Sequence, residues 1–312
     1  MARYLVTGGA GFIGSNIAEA LVKGGEQVVV LDNLTTGYEK NIAHLRNDLT
    51  FIKGDVRDVG TVREALDGVD YVLHEAALAS VPRSIEDPVL VTDVNVRGTL
   101  VMLDEARRAG VKRFVYAASS SAYGDTETLP KVESMIPKPL SPYAASKLMG
   151  EYYCAVYAHV YGMSTVSLRY FNIFGPRQDP KSQYAAVIPI FISHLMAGTP
   201  PSIFGDGEQS RDFTYIENVV EANILASRCE GARGQAVNIA CGERYTLNDL
   251  FNRMQRIIGS SIAPRYAEPR AGDVKHSQAD ISEAEKLIGY KIAVPFAEGL
   301  RRTIAWYREA RA

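Results

Sequence analysis

The sequence predicts a doubly wound parallel α/β sheet followed by a smaller, mixed C-terminal unit. Three observations predict it. Short apolar, β-branched runs alternate with helical stretches through the first half of the chain. The first of these runs ends in a glycine-rich turn that opens a helix. Past about residue 174, Pro and Gly become frequent and the extended runs shorten. Strands alternating with helices of this length imply right-handed βαβ units, hence a parallel sheet covered on both faces.

The elements follow in order. Residues 3–6 form the opening strand, which gives way to Thr7-Gly8-Gly9. Residues 12–23 carry helical periodicity and stop at Gly24-Gly25. The β-branched run 27–31 reads as a strand buried on both faces. Residues 49–53 and 69–73 are further strands. A long helical pattern spans 88–108 and ends at Gly110. Residues 113–117 form a strand, 141–161 a helix and 165–169 a strand. The later chain carries Gly175-Pro176, Pro200-Pro201 and Gly205-Asp206-Gly207, yet 213–229 and 236–240 still read as core α/β. The expected division is therefore 1–173 plus 213–241 for the large unit and 174–212 plus 242–312 for the small one.

Composition narrows the function. Charge is balanced, 34 basic against 36 acidic residues for a formal net of −2, and no basic run marks a nucleic-acid surface. Hydrophobic residues make up 46%, which excludes a disordered chain. No apolar stretch approaches the ~18–20 residues of a membrane helix, and Tyr4-Leu5-Val6 is too short for a secretory signal. Cys154, Cys229 and Cys241 are odd in number and lack CxxC spacing, which fits reduced thiols rather than disulfides or a metal site. A cytoplasmic location is expected.

The glycine turn carries the first chemistry. Gly8, Gly11 and Gly14 stand between a strand and a helix. One permits the tight turn, one lets backbone approach a pyrophosphate, and one allows close helix–sheet packing. The helix start then presents free N–H groups to the phosphates. Asp32 ends the next strand, about 20 residues on, where an acid hydrogen-bonds an adenine-ribose hydroxyl. An acid there repels a 2′-phosphate, so NAD is favoured over NADP. Asp55, after the third strand, is well placed for the adenine edge.

Tyr143 and Lys147 are i, i+4 on the helix opened by Ser141-Pro142, so they share a face. Alone, such a pair is a solvated helix pair. Beside a nicotinamide it becomes a base. A phenol with a pKa near 10 is a poor base at neutral pH, and a nearby ammonium with a cationic ring would favour the phenolate. Ser119, Ser120 and Ser121 follow a strand at the carboxyl edge of the sheet, where ligands bind. A hydroxyl there can bridge the substrate oxygen and Tyr143.

Together, Gly8-x2-Gly11-x2-Gly14, the run Ser119-Ser120-Ser121-Ala122-Tyr123-Gly124, Tyr143-x3-Lys147 and the run from Leu168 to Pro176 resemble the extended short-chain dehydrogenase/reductases, a Rossmann family. Within them the chain is similar to the UDP-hexose 4-epimerases, and most to their UDP-N-acetylglucosamine branch. The resemblance covers essentially the whole chain. It implies bound NAD, a UDP-sugar substrate and a transient 4-keto sugar. By resemblance, Tyr143 is the base, Lys147 its electrostatic partner and ribose ligand, and Ser119 the hydroxyl bridge. Phe12, Ile13, Asp32, Asn33, Leu34, Thr35, Thr36, Asp55, Val56, Ala76, Ala77, Ala79, Asn95 and Tyr170 would line the cofactor. Asn172 would reach the diphosphate, with Arg211, Arg270 and Asp273 binding the nucleotide. Val187, Ser202, Ile203 and Phe204 would hold the uridine.

Related dehydratases and decarboxylases use an extra acid beside the serine motif, and residues 119–123 contain none. That favours epimerisation. Other dehydratase or reductase chemistry, or a non-catalytic NAD-binding scaffold, are the alternatives; a scaffold would be expected to lack the tyrosine or the lysine. In the resembling epimerases the position of Ser277 walls the C2 side of the sugar. A small residue there leaves room for an N-acetyl group, and Gln178 could contact the sugar. UDP-glucuronate remains a further candidate. The family also implies a homodimer, through helices carrying Val101, Met102 and Leu103, and Tyr152, Tyr153, Val156 and Tyr157.

Overall fold

The computed structural model describes residues 1–180, 186–269 and 274–310. The chain opens with β1 (Arg3–Thr7), α1 (Phe12–Lys23), β2 (Gln27–Asp32), β3 (Thr50–Lys53), α2 (Val59–Ala65) and β4 (Tyr71–His74). Next come α3 (Val81–Glu86), α4 (Pro88–Thr92), α5 (Gly98–Arg108), β5 (Arg113–Ser119), α6 (Pro142–Tyr161) and β6 (Thr165–Tyr170). The remainder holds β7 (Ile173–Phe174), α7 (Val187–Met196), β8 (Ser202–Phe204), β9 (Ser210–Arg211), β10 (Thr214–Tyr215), α8 (Ile216–Arg228) and β11 (Gln235–Ile239). It ends with β12 (Tyr245–Thr246), α9 (Leu247–Ile258), β13 (Arg265–Ala267), α10 (Ser282–Ile288) and α11 (Phe296–Glu309).

Seven strands form one parallel sheet in the order β11-β6-β5-β4-β1-β2-β3. This is the doubly wound Rossmann order, and it reverses direction between β1 and β4. Ligands bind outside the carboxyl ends of the strands at such a reversal. The small pairs β7–β10, β8–β13 and β9–β12 lie later in the chain.

Period-two alternation explains burial on both faces. Tyr4, Val6, Val28 and Val30 face α1 and α8, while Leu5, Val29 and Leu31 face α2, α5 and α6. The first face continues into the C-terminal region. There Phe174 packs edge-on against Phe213 and Phe296, and Phe213 stacks on Phe296 at 5.6 Å.

Two expectations change. The helical pattern over 88–108 is α4 and α5 joined by a π-helical turn at Asp93–Arg97. Periodicity cannot see that one wider turn, which places Asn95 at the buried wall. The same stretch is preceded by α3, capped by Ser80 and opened by Pro82. The residues named for pairing also divide. Met102, Leu103 and Tyr157 belong to the core, and Val101 and Tyr153 are partly buried against it. Tyr152 and Val156 stay exposed. Among the described residues no helix is long and apolar enough to cross a membrane.

Candidate active site

The glycine turn is built by backbone. Gly8 N–H donates to the Leu31 carbonyl at 2.8 Å and Gly11 N–H to the Gly8 carbonyl at 3.0 Å. A Cβ at Gly14 would stand 2.3 Å from the Gly8 oxygen and 2.7 Å from the Gly9 Cα, so α1 sits against the turn only because Gly14 has no side chain. Gly11 caps α1 without a side-chain hydrogen bond. The helix start therefore keeps its N–H groups, with Phe12 and Ile13 in the first turn, for an anion.

Asp32 closes β2 beside this turn. It accepts from Ala10 N–H at 3.0 Å and Leu34 N–H at 2.8 Å. Burial pushes its carboxyl up, and these two bonds offset that only in part. Asn33 accepts from Thr35 N–H and donates to Asp55 at 2.9 Å; Thr36 lies exposed on the same loop. Asp55 is gripped by Arg57 through Nε at 2.9 Å and Nη2 at 2.8 Å, which holds its carboxyl well below the usual carboxylate range. Val56 is buried behind it. Across the reversal, Ala76 N–H donates to Thr7 Oγ1 at 3.2 Å, ahead of Ala77 and Ala79. Asn95 is a buried brace: its side chain accepts from Leu78 N–H at 2.8 Å and donates to Ser146 at 3.0 Å. An uncapped helix start, a cradle that a Cβ would fill and an acid at the strand end together fit a dinucleotide.

The structure brings Ser119, Tyr143 and Lys147 together. Ser141 caps α6 by accepting from Ala144 N–H at 3.1 Å, and Pro142 begins it. A Cβ at Gly150 would lie 2.2 Å from Tyr116 Oη, so this glycine lets α6 press onto β5. Lys147 Nζ then reaches the Ala117 carbonyl at 2.7 Å and stands 5.1 Å over the Tyr116 ring. The Tyr143 phenol faces Ser119, whose hydroxyl favours its ionised form. Ser119 Oγ also accepts from Ser121, from its N–H at 3.2 Å and its hydroxyl at 2.9 Å, while Ser120 begins the short turn that follows.

Burial pushes the Tyr143 phenol up, the Ser119 hydroxyl pulls it down, and Glu75 adds to the upward push. Ser119 is thus a group set against burial. Glu75 was not singled out by its side chain. Its carboxylate accepts from Tyr170 hydroxyl at 2.8 Å, and that hydroxyl accepts from Asn223 at 2.8 Å. Burial pushes Glu75 up and Lys147 down, and their mutual attraction opposes both shifts. The Tyr170 side chain is therefore turned to Glu75 and Asn223.

A second ion pair supports the serine turn from behind. Arg169 donates to Glu151 at 2.9 and 2.5 Å and to the Tyr123 hydroxyl at 2.8 Å, with all three side chains buried. Nothing in the local sequence announced this pair, because its members come from α6, β6 and the serine turn.

The other flank is assembled from distant segments. Asn172 donates to the Asp212 carbonyl at 2.9 Å and to Ser277 Oγ at 3.1 Å. Asp212, fully buried, accepts from Cys241, Gly242 and Ala279 N–H at 2.9, 3.0 and 3.1 Å. Arg211 donates to the Ser210 and Lys275 carbonyls. Gln178 donates to the Ile173 carbonyl at 3.1 Å while its Oε1 is buried without a partner among the described residues. Val187 begins α7; Ser202, Ile203 and Phe204 form β8. Arg270 and Asp273 lie outside the described residues.

A parallel sheet reversing beside an uncapped glycine turn, with Tyr143 and Lys147 at the same edge, defines a nicotinamide-dependent α/β enzyme. Residues 4–240 match the model of the NAD dependent epimerase/dehydratase family. The chain belongs to that family and is an NAD-dependent enzyme. It is 40% identical over 306 residues to a putative UDP-glucose 4-epimerase of Methanocaldococcus jannaschii, covering 97% of this chain and 98% of that one. The UDP-N-acetylglucosamine 4-epimerase of Methanobrevibacter ruminantium M1, solved with UDP-N-acetylmuramic acid, superposes with a TM-score of 0.95 at 40% identity, covering 99% of each chain. The Thermotoga maritima UDP-glucose 4-epimerase with UDP-glucose gives 0.95 at 37%, covering 99% of this chain and 100% of that one.

Proposed function

We propose that the chain is a UDP-hexose 4-epimerase that interconverts UDP-GlcNAc with UDP-GalNAc, and also UDP-Glc with UDP-Gal. The observation that carries this reading is the Ser119–Tyr143–Lys147 cluster at the sheet reversal, with no acid from Ser119 to Tyr123. Its likeness to two solved UDP-sugar 4-epimerases supports it.

Gly8, Gly11, Phe12, Ile13 and Gly14 would hold the NAD diphosphate, Asp32 the adenine ribose, and Lys147 the nicotinamide ribose. When bound, NAD supplies a reversible acceptor for the C4 hydride. Tyr143 takes the proton of the 4-hydroxyl as that carbon is oxidised to a ketone, and Ser119 hydrogen-bonds the same oxygen. Lys147 holds positive charge behind the phenol. After the keto sugar turns over, Tyr143 returns the proton, so the reaction is redox-neutral overall. Asn172, Arg211, Arg270 and Asp273 would bind the nucleotide, and Val187 with β8 the uridine. Ser277 and Gln178 would border the C2 substituent. In this reading 1–173 plus 213–241 form the NAD-binding domain, and 174–212 plus 242–312 the UDP-sugar-binding domain.

The test is incubation of purified protein with UDP-GlcNAc, UDP-Glc and UDP-glucuronate, with no NAD added. Conversion of the first two to their C4 epimers is expected. No conversion of UDP-GlcNAc sinks the N-acetyl assignment, and no conversion of any substrate sinks the epimerase.

The reading includes a homodimer. Met149, Tyr152, Val156 and Val160 recur at helical spacing on the outer face of α6 and are 48–60% exposed, with Ile85 and Val89 also exposed on α3 and α4. A second copy presenting the same stripe would cover them. Light scattering should give twice 34.1 kDa; only the single mass would remove the idea.

A further inference from the structure

Among the described residues, Leu34, Asn172 and Arg177 hold positive φ without being glycine, at 60°, 39° and 69°. Leu34 donates to Asp32 and Asn172 to Ser277, so both lie at parts of the site already described. Such backbone persists where the surroundings over-determine it, and these outliers cluster at ligand clamps. Arg177 has the surroundings and no assigned task.

Its guanidinium is largely buried. It donates to the Ser15 carbonyl at 3.0 Å and the Asn41 carbonyl at 3.4 Å, and it ion-pairs with Glu19. Ser15 and Glu19 belong to α1, the helix that starts from the glycine turn. Neighbouring residues repeat the attachment. Asn16 donates to the Pro176 carbonyl at 3.3 Å, and the Tyr38 hydroxyl donates to Asp179 at 2.7 Å. From the opposite side the Tyr307 hydroxyl donates to the Gln178 carbonyl.

The gripped loop leads back to the cofactor turn. Tyr38 N–H and the Asn41 amide both donate to the Ala10 carbonyl at 2.9 Å, and Ala10 N–H donates to Asp32 at 3.0 Å. Direct contacts therefore run from the 176–179 segment to Asp32 and the glycines. Glu19 is suited to anchor them. Burial pushes its carboxyl up, but Lys23 and Arg177 outweigh this and hold it at about 2.

We propose that Arg177 is a positioning residue that straps residues 176–179 across α1 and the 38–41 loop and thereby slows release of NAD. This rests on NAD binding at the glycine turn, not on the identity of the sugar.

The experiment follows NAD release from the NAD-loaded full-length protein into an enzymatic NAD trap. Arg177→Ala should release NAD roughly tenfold faster, within the range of coupling between linked sites. Arg177→Lys keeps a charge for Glu19 but lacks the planar fork that serves Glu19 with one nitrogen and the two carbonyls with the other, so it should fall between. Tyr38→Phe removes only an exposed phenol bonded to Asp179 and should quicken release by about twofold, the same coupling in a weaker contact. Melting temperatures of the NAD-free variants are measured alongside. A lower melting temperature with unchanged release assigns Arg177 to the fold alone and overturns the proposal. If Arg177→Ala does not fold, unchanged release in both Arg177→Lys and Tyr38→Phe overturns it equally. Absent sugar turnover in the wild type would refute the epimerase and leave the release result standing.

Discussion

The two flanks of the cleft are built by opposite means. On the dinucleotide flank, Gly8, Gly11, Gly14 and Asp32 sit close in sequence; backbone hydrogen bonds tie Gly8 and Gly11, Gly14 packs on the turn, and the Asp32 carboxylate accepts from backbone N–H groups. On the sugar flank, Asn172, Asp212 and Ser277 come from three distant segments joined by side chains. A backbone cradle has no rotamers to adjust, so it tolerates nothing larger. A side-chain wall can be retuned by changing one residue, so in the proposed reading the Asn172 flank is where sugar specificity varies while the glycine turn stays fixed.

Three substitutions sharpen that contrast, taken from the largest effect down. Tyr143→Phe belongs to neither flank and should leave NAD binding intact while kcat falls roughly 10²–10⁴-fold, the usual cost of losing a general base. A mutant keeping more than about a tenth of the rate would contradict the assignment. Gly14→Ala breaks the rigid flank. Its Cβ meets backbone rather than a yielding side chain, so NAD titration should show a loss of about 1–3 kcal/mol, up to roughly hundredfold. Unchanged affinity would mean the turn can shift. Ser277→Tyr tests the adaptable flank. It should cut turnover of the N-acetylated pair by roughly tenfold or more relative to UDP-Glc and UDP-Gal, because steric exclusion acts on one substrate only. Equal loss on both pairs would assign Ser277 to holding Asn172 rather than to bordering the sugar.

The same contrast explains what the sequence could and could not show. Strand–helix alternation and the glycine spacing are local signals, so the doubly wound parallel sheet was legible, as was the shared face of Tyr143 and Lys147. The π-helical turn at Asp93–Arg97 was not, since one wider turn barely disturbs helical periodicity. Glu75 stood in view as one acid among many. Only the fold brings Tyr170 to its carboxylate and sets its charge against Tyr143 and Lys147. The Arg169–Glu151 pair and the Asp212 staple likewise join residues that are unremarkable in their own segments. Arg177 stands next to Gln178 in the sequence, and its positive φ marks it only once the backbone is known.

The central claim is that Tyr143 and Ser119 manage the proton of the 4-hydroxyl while the hydride removed from C4 returns to that carbon. Incubating the protein with UDP-GlcNAc carrying deuterium at C4, with no added NAD, tests it most directly. The account requires UDP-GalNAc with the deuterium retained at C4, followed by NMR and mass spectrometry. Loss of the label to solvent, or a dehydrated 4-keto-6-deoxy product in place of the epimer, would contradict it.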